Sequence, residues 1–194
     1  MFDNYSAIEI RRETFSTGTG MVYTILSNKR GIGTIEEKAS SNKDIWNRLL
    51  KLLTLKSAVS LNLKLDAKAT GDEEVEFRKV RGFYKDIYLH SPSKQIATIK
   101  PTVKVNSPVI TVEDPDGSIM FKASGQYGAT DFSVADGKTN QKVTSIRKRS
   151  SVYNSMKENL LNEDRYYVDI HHLSYESILI MIGTIVTLDF YFHR

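Results

Sequence analysis

The chain of 194 residues is 40% hydrophobic and 26% charged, and its 27 Lys and Arg against 23 Asp and Glu leave a formal charge of +4. That balance suits a single globular domain over 1–194 with a core of ordinary size, and it lacks the dense basic charge of a dedicated nucleic-acid binder. The absence of cysteine excludes disulfides, thiolate catalysis, iron–sulfur clusters and cysteine-ligated zinc.

The opening MFDNYSAIEIRRETF has no basic segment leading into an apolar core and a small-residue cleavage site, so it does not read as a secretory signal. The expectation is a cytoplasmic protein, and the glycosylation sequon at Asn4 is taken as chance. Thr17, Gly18, Thr19 and Gly20 lack the strand, helix and trailing acid of a dinucleotide loop, and Gly18 and Gly20 are read as turn residues. From Met21, VYTILS, the corner NKRG and IGTIEEK predict a hairpin.

Over 44–55 the apolar residues Ile45, Trp46, Leu49, Leu50, Leu52 and Leu53 recur at helical spacing, with Lys43, Arg48, Lys51 and Lys56 as a basic face. An amphipathic helix of about three turns follows, with its Leu side expected against the rest of the protein and its basic side suited to an anionic membrane. KSAVSLNLKLDAK then alternates cleanly: Val59, Leu61, Leu63, Leu65 and Ala67 share one face, as a half-buried strand requires.

After the turn-like ATGDEE, VEFRKVRGFYKDIYLH gives two strand-like runs around Gly82. In IATIKPTVKVNSPVITVED, Pro101 and Pro108 are expected at strand ends, bulges or edges, because proline cannot donate to a ladder. Asp-Gly turns at Asp116-Gly117 and Asp136-Gly137 are expected to carry positive φ in tight hairpins. SIMFKA places Ile119, Phe121 and Ala123 on one side, and RYYVDIH places Tyr166, Val168 and Ile170 on one side. Many short strands at a spacing of roughly ten residues favour a sandwich or barrel.

The run ILIMIGTIVTL over 178–188 is the most apolar in the chain, yet Glu176 and Asp189 bracket it. A membrane span needs roughly 20 mainly apolar residues, and burying Asp189 would cost about 2.5 to 3.5 kcal/mol. Apolarity on every side is also the mark of a helix enclosed by protein. A helix through the centre of a closed barrel meets that requirement, because alternate residues of every strand point inward at it.

The sequence over 131–194 resembles the tubby C-terminal-like superfamily, which includes LURP-one-related proteins and phospholipid scramblases. The likeness lies in order and position: the turn at Asp136-Gly137, the basic strand end Arg147, Lys148 and Arg149, the strand carrying Tyr166, Val168 and Ile170, and the apolar helix ending at Asp189. The chain departs from that pattern at Glu176, where Asp is usual, at the mid-helix Gly183, and in the inserted helix over 44–55. The resemblance implies a mainly β fold, a closed antiparallel barrel of roughly twelve strands around a central hydrophobic C-terminal helix.

No HExxH, P-loop, GxSxG or paired-carboxylate motif appears, so a non-enzymatic protein without cofactor is expected. His171 and His172, adjacent on a strand, would point to opposite faces and are not expected to share a metal; His90 and His193 stand apart. Three basic clusters are candidates for binding anions or lipid: Lys29 and Arg30; Arg78, Lys79 and Arg81; and Arg147, Lys148 and Arg149. Each reads first as a charged strand edge that discourages sheet-to-sheet pairing, and second as a phosphate-recognising surface.

The resemblance implies a binding or adaptor module for an anionic phospholipid or membrane surface or for a protein partner, peripheral at the membrane in the first case. The alternative it raises is a scramblase-like protein with the C-terminal helix inserted in the bilayer. No specific nucleic-acid partner is expected.

Overall fold

The computed structural model describes residues 5–13, 21–38, 45–52, 55–67, 74–104, 107–125, 130–149 and 165–192. The readings made at Asn4, Thr17 to Gly20, Lys43, the ATGDEE turn, Leu53 and His193 fall wholly or largely outside these residues.

Twelve antiparallel strands close into one barrel. They are β1 (Ala7–Arg12), β2 (Val22–Ser27), β3 (Arg30–Glu37), β4 (Leu61–Ala67), β5 (Val75–Lys79) and β6 (Ile87–His90), followed by β7 (Gln95–Lys104), β8 (Ser107–Glu113), β9 (Ile119–Ser124), β10 (Asp131–Asp136), β11 (Lys142–Arg149) and β12 (Arg165–Asp169). Each strand pairs with its sequence neighbour, and β1 pairs with β12 through Ile8↔Val168 and Ile10↔Tyr166 to complete the ring. Two α-helices, α1 (Ile45–Leu52) and α2 (Tyr175–Phe192), and one turn of 3-10 helix at Lys56–Ala58 complete the described structure.

The alternation legible in the sequence is what lines the barrel. Leu61, Leu63 and Leu65 of β4, Phe77 of β5, Ile146 of β11 and Tyr166 and Val168 of β12 all point inward and are buried. They meet α2, whose residues 178–191 are buried without exception. The helix is long and apolar enough to cross a membrane, yet 78% of it is buried inside the protein. Its apolarity on all sides is matched by a wall of inward side chains on all sides.

Local chemistry starts and seats this helix. Ser174 caps it, its hydroxyl accepting from the Ser177 amide at 3.2 Å and its carbonyl from the Ile178 amide at 2.9 Å. Glu176 in the first turn pairs with Lys94 of the β6–β7 turn at 2.7 Å, on the favourable end of the helix dipole. Gly183 is there for closeness: a Cβ on it would stand 2.6 Å from Ile99 Cδ1 and 3.0 Å from Phe77 Cε1. The cost of glycine in mid-helix, about 0.5 to 1 kcal/mol, is offset by the close approach of α2 to β5 and β7.

The β2–β3 hairpin turns through Asn28 and Lys29, with φ of 49° and 64°, between the paired residues Ser27 and Arg30. Two positive φ values mark the mirror-image turn that suits hairpin twist. Gly117 has the positive φ expected of its turn, at 85°, but Gly137 does not. Gly137 is required for space instead, since a Cβ there would lie 2.2 Å from the Ile119 carbonyl oxygen. Pro101 lies within β7, paired with Ile110 of β8. The pairing of β6 with β7 ends at Ile99, so Pro101 has a neighbour on one side only and its missing N–H leaves no gap in that ladder.

Candidate functional site

The two ends of the barrel differ. At the end where α2 begins lie the tight turns between β2 and β3, β6 and β7, β8 and β9, and β10 and β11. At the end where α2 finishes lie α1 and the loop 80–86 between β5 and β6. Exposed large apolar side chains gather at this second end. Ile45, Trp46 (61% exposed) and Leu49 project from α1, and Leu55 follows it. Val80, Phe83 (52% exposed) and Tyr84 project from the loop.

This cap is held in place by polar contacts together with Leu50 and Tyr84. Asn47 of α1 is buried and brackets Ser60, accepting from the Ser60 amide at 3.0 Å and donating to the Ser60 carbonyl at 3.1 Å. Of Ile45, Trp46, Leu49 and Leu50, Leu50 alone packs on the core. The expectation that the helix lays its Leu side on the barrel is therefore overturned for Ile45, Trp46 and Leu49, because Asn47 occupies the face turned inward.

The loop is folded by Gly82 at φ 130° and Tyr84 at φ 49°, and the Gly82 amide bonds to the Ala58 carbonyl at 2.8 Å. Tyr84 stacks on Tyr191 of α2 with ring centroids 5.6 Å apart, and the Tyr191 hydroxyl donates to the Lys85 carbonyl at 2.6 Å. The end of the central helix thus carries the loop. Burial first, and then the charge of Asp86, push the Tyr191 hydroxyl above the usual tyrosine range.

Lys79 occupies the junction of these parts. It is 3% exposed, and its ammonium donates to the carbonyls of Val59 at 2.7 Å, Gly82 at 2.9 Å and Val80 at 3.2 Å. The rings of Phe190 and Tyr191 lie 5.3 and 5.8 Å away. Burial, and secondarily the charge of Lys85, lower its pKa to about 8. Lys79 is thus a buried structural group, which corrects the expectation that it offers its charge with Arg78 and Arg81 on one surface. Strand alternation is the reason: it shares the inward parity of Val75 and Phe77.

The remaining candidates are scattered. Lys29 and Arg30 are exposed at the turn-rich end of the barrel. Arg78 faces outward on β5 and donates to Glu76 at 2.6 Å, in a group where Glu76 also pairs with Lys38. The Glu76 carboxyl is held below its ordinary value by Lys38 and Arg78, against burial, which acts in the opposite sense and is the largest single influence. Arg147 and Arg149 face outward on β11, on the opposite wall from β5, since the two strands stand six places apart in the ring. Lys148 turns to the inner side of its strand, 5.9 Å from the Tyr166 ring centroid, and Arg149 lies 5.5 Å from that of Tyr167. The three clusters therefore do not merge into one surface. Arg81 and Lys85 are exposed beside Phe83 and Tyr84, so the basic residues that accompany the apolar cap come from its own loop.

The cap loop escaped the sequence reading because GFY was absorbed into strand-like runs. The signal present was three apolar residues beside a glycine, in a turn between two strands. His171 and His172 do not lie on a strand, which ends at Asp169; their rings sit side by side at 4.2 Å in the turn after β12. Among the described residues no group of three or more His, Cys, Asp or Glu side chains is placed to hold a metal ion.

No family model, curated protein or solved structure matches this chain. The weight of any functional reading rests on the barrel's own surfaces.

Proposed function

We propose that the chain is a non-enzymatic binding module of tubby-like kind that docks on anionic phospholipid surfaces through the cap formed by α1 and the loop 80–86. One observation carries this reading: of the nine large apolar side chains exposed among the described residues, six lie on this cap and a seventh, Leu55, follows α1 at the same end of the barrel. Tryptophan and tyrosine rings are at home among lipid headgroups, and each basic residue near an anionic leaflet adds about 1 kcal/mol of attraction. Arg81 and Lys85 supply that charge within the loop that bears Phe83 and Tyr84. A second copy of the chain is a poorer fit, because two-fold pairing of the cap would set these cations against one another. The interior that a small-ligand carrier would keep open is occupied by α2.

The test is sedimentation of the full chain with phosphatidylcholine vesicles, with and without phosphatidylserine. Binding is expected only with the anionic lipid, falling as salt rises, and it is expected to be lost in Trp46→Ser combined with Phe83→Ser. Absence of anion-dependent binding removes the lipid reading and leaves a protein partner for the cap.

The alternative, insertion of α2 into a bilayer as in a scramblase-like protein, is supported by the helix's length and apolarity. It requires withdrawing α2 from the wall of side chains around it, and recovery of the full chain without detergent in the soluble fraction counts against it.

A further inference from the structure

On β9 to β12, far from the cap loop, the outer wall of the barrel is a polar trough. Ser133 of β10 stands between Ser124 of β9 and Ser145 of β11 in the register of the sheet. These short side chains form a floor, while Arg147 and Tyr167, themselves paired across β11 and β12, rise beside it. Three adjoining concavities of about 870, 330 and 240 Å³ follow this floor, and Ser145 and Arg147 line all three.

The chemistry of the trough is mixed, and the mixture is informative. Arg147 and Lys142 are the cations of its walls; among the described residues neither makes an ion pair, although Asp131 stands across from Arg147 in the register of β10 and β11, whereas Arg78, Arg12 and Lys38 are each paired with a carboxylate. Asp131 and Asp169 face the same space. Among the described residues the hydroxyls of Ser124, Ser133 and Ser145 have no hydrogen-bond partner, and Ser124 and Ser133 are exposed. An exposed guanidinium is suited to an anionic group, which it grips with two parallel donors. Carboxylates repel a bare anion but accept from the hydroxyls of a polyol, and serine hydroxyls, which both donate and accept, bond to either. The widest part of the trough, about 870 Å³, falls in the size range of small-molecule sites.

We propose that this trough binds a small polyhydroxylated anion, a sugar phosphate or a sugar acid, with Arg147 on its anionic group and the serine row and Asp169 on its hydroxyls. The site is separate from the cap and does not depend on lipid docking.

The experiment is NMR titration of the isotopically labelled full chain at low ionic strength with glucose 6-phosphate, glucuronate, glucose and inorganic phosphate, each to about 10 mM. Glucose 6-phosphate and glucuronate are expected to move the amide signals of Ser133, Ser145, Arg147 and Asp169, and the two together distinguish a phosphate from a carboxylate preference. Arg147→Gln is expected to weaken this binding at least about tenfold, as loss of a charged hydrogen bond does. Arg78→Gln, on the opposite wall, is expected to leave it unchanged, and both exposed substitutions are checked for fold by circular dichroism. The proposal is overturned by the absence of shifts with either sugar anion. It is equally overturned if inorganic phosphate or glucose binds as tightly as the sugar anions, or if Arg147→Gln binds as tightly as the parent chain.

Discussion

The Tyr23 hydroxyl donates to the Asp189 carboxylate at 2.8 Å inside the barrel, joining the second strand to the last turn of the central helix. The other carboxylate oxygen accepts from the Tyr166 hydroxyl at 3.0 Å, and Arg12 adds its charge at 3.1 Å. Arg12, Tyr23 and Tyr166 belong to β1, β2 and β12, three consecutive strands around the point where the ring closes. One carboxylate, 1% exposed, thus ties the helix to the seam of the barrel. Tyr23→Phe and Tyr166→Phe are each expected to destabilise the fold by about 1 to 2 kcal/mol in chemical denaturation, and Asp189→Ala by about 3 to 5 kcal/mol, since it removes the buried carboxylate on which Arg12 and two buried hydroxyls converge. The paired tyrosine variant is expected to depart from additivity, because both hydroxyls serve the same carboxylate.

Ile182 has no exposure to solvent in the middle of α2. Ile182→Asp is expected to unfold the domain and send the chain to the insoluble fraction, because a lone buried carboxylate far exceeds the stability of a domain this size. A bilayer-inserted helix given the same charge should leave the membrane fraction instead, so fractionation of this one variant separates the two readings of the helix.

In the alkaline range Lys79 and two tyrosines act on stability in opposite senses. The folded chain releases the Lys79 proton near pH 8, and the unfolded chain holds it until about 10.5. Below pH 8 both states are protonated and burial of the ammonium weighs against folding; between the two values stability rises with pH, by up to about 3 kcal/mol. Tyr23, raised by burial and by the charge of Asp189, and Tyr191, raised by burial and by Asp86, act oppositely. Their unfolded forms ionise near pH 10 while their folded forms do not, so stability falls above that pH. Urea midpoints are expected to peak near pH 10, and Lys79→Met is expected to abolish the rise from pH 8.

Trp46 is the sole tryptophan, and it is 61% exposed on the cap. Its emission is expected to be that of a well-solvated indole in buffer and to move to shorter wavelength with phosphatidylserine-containing vesicles but not with phosphatidylcholine alone. An unmoved spectrum with vesicle-bound protein would place the contact elsewhere on the surface.

The barrel was legible where a single periodicity ran undisturbed. Leu61, Leu63 and Leu65 alternate as an inward row must, and the run over 178–188 is apolar in every direction because every direction is wall. The same parity rule would have turned Lys79 inward with Val75 and Phe77, but a lysine beside Arg78 and Arg81 invites reading by charge rather than by position. Asp189 was visible as a cost and as the end of the apolar helix, but not as a tie, since its partners Arg12 and Tyr23 lie 177 and 166 residues away along the chain. The cap and the trough are harder still. A turn bearing Val80, Phe83 and Tyr84 looks like strand text, and a row of serines from three strands has no linear signature at all.

Pairing of β1 with β12, with Ala7 opposite Asp169, also bears on how the protein is made. During synthesis β1 has an open edge until β12 has emerged, and the inward row of every strand has no filling until α2 follows it. Contacts of such long sequence separation form slowly, and unpaired edges are sticky. The nascent barrel is therefore expected to lean on chaperones until its central helix arrives, so that the segment best able to pass for an anchor is the one whose translation ends the chain's exposure to aggregation.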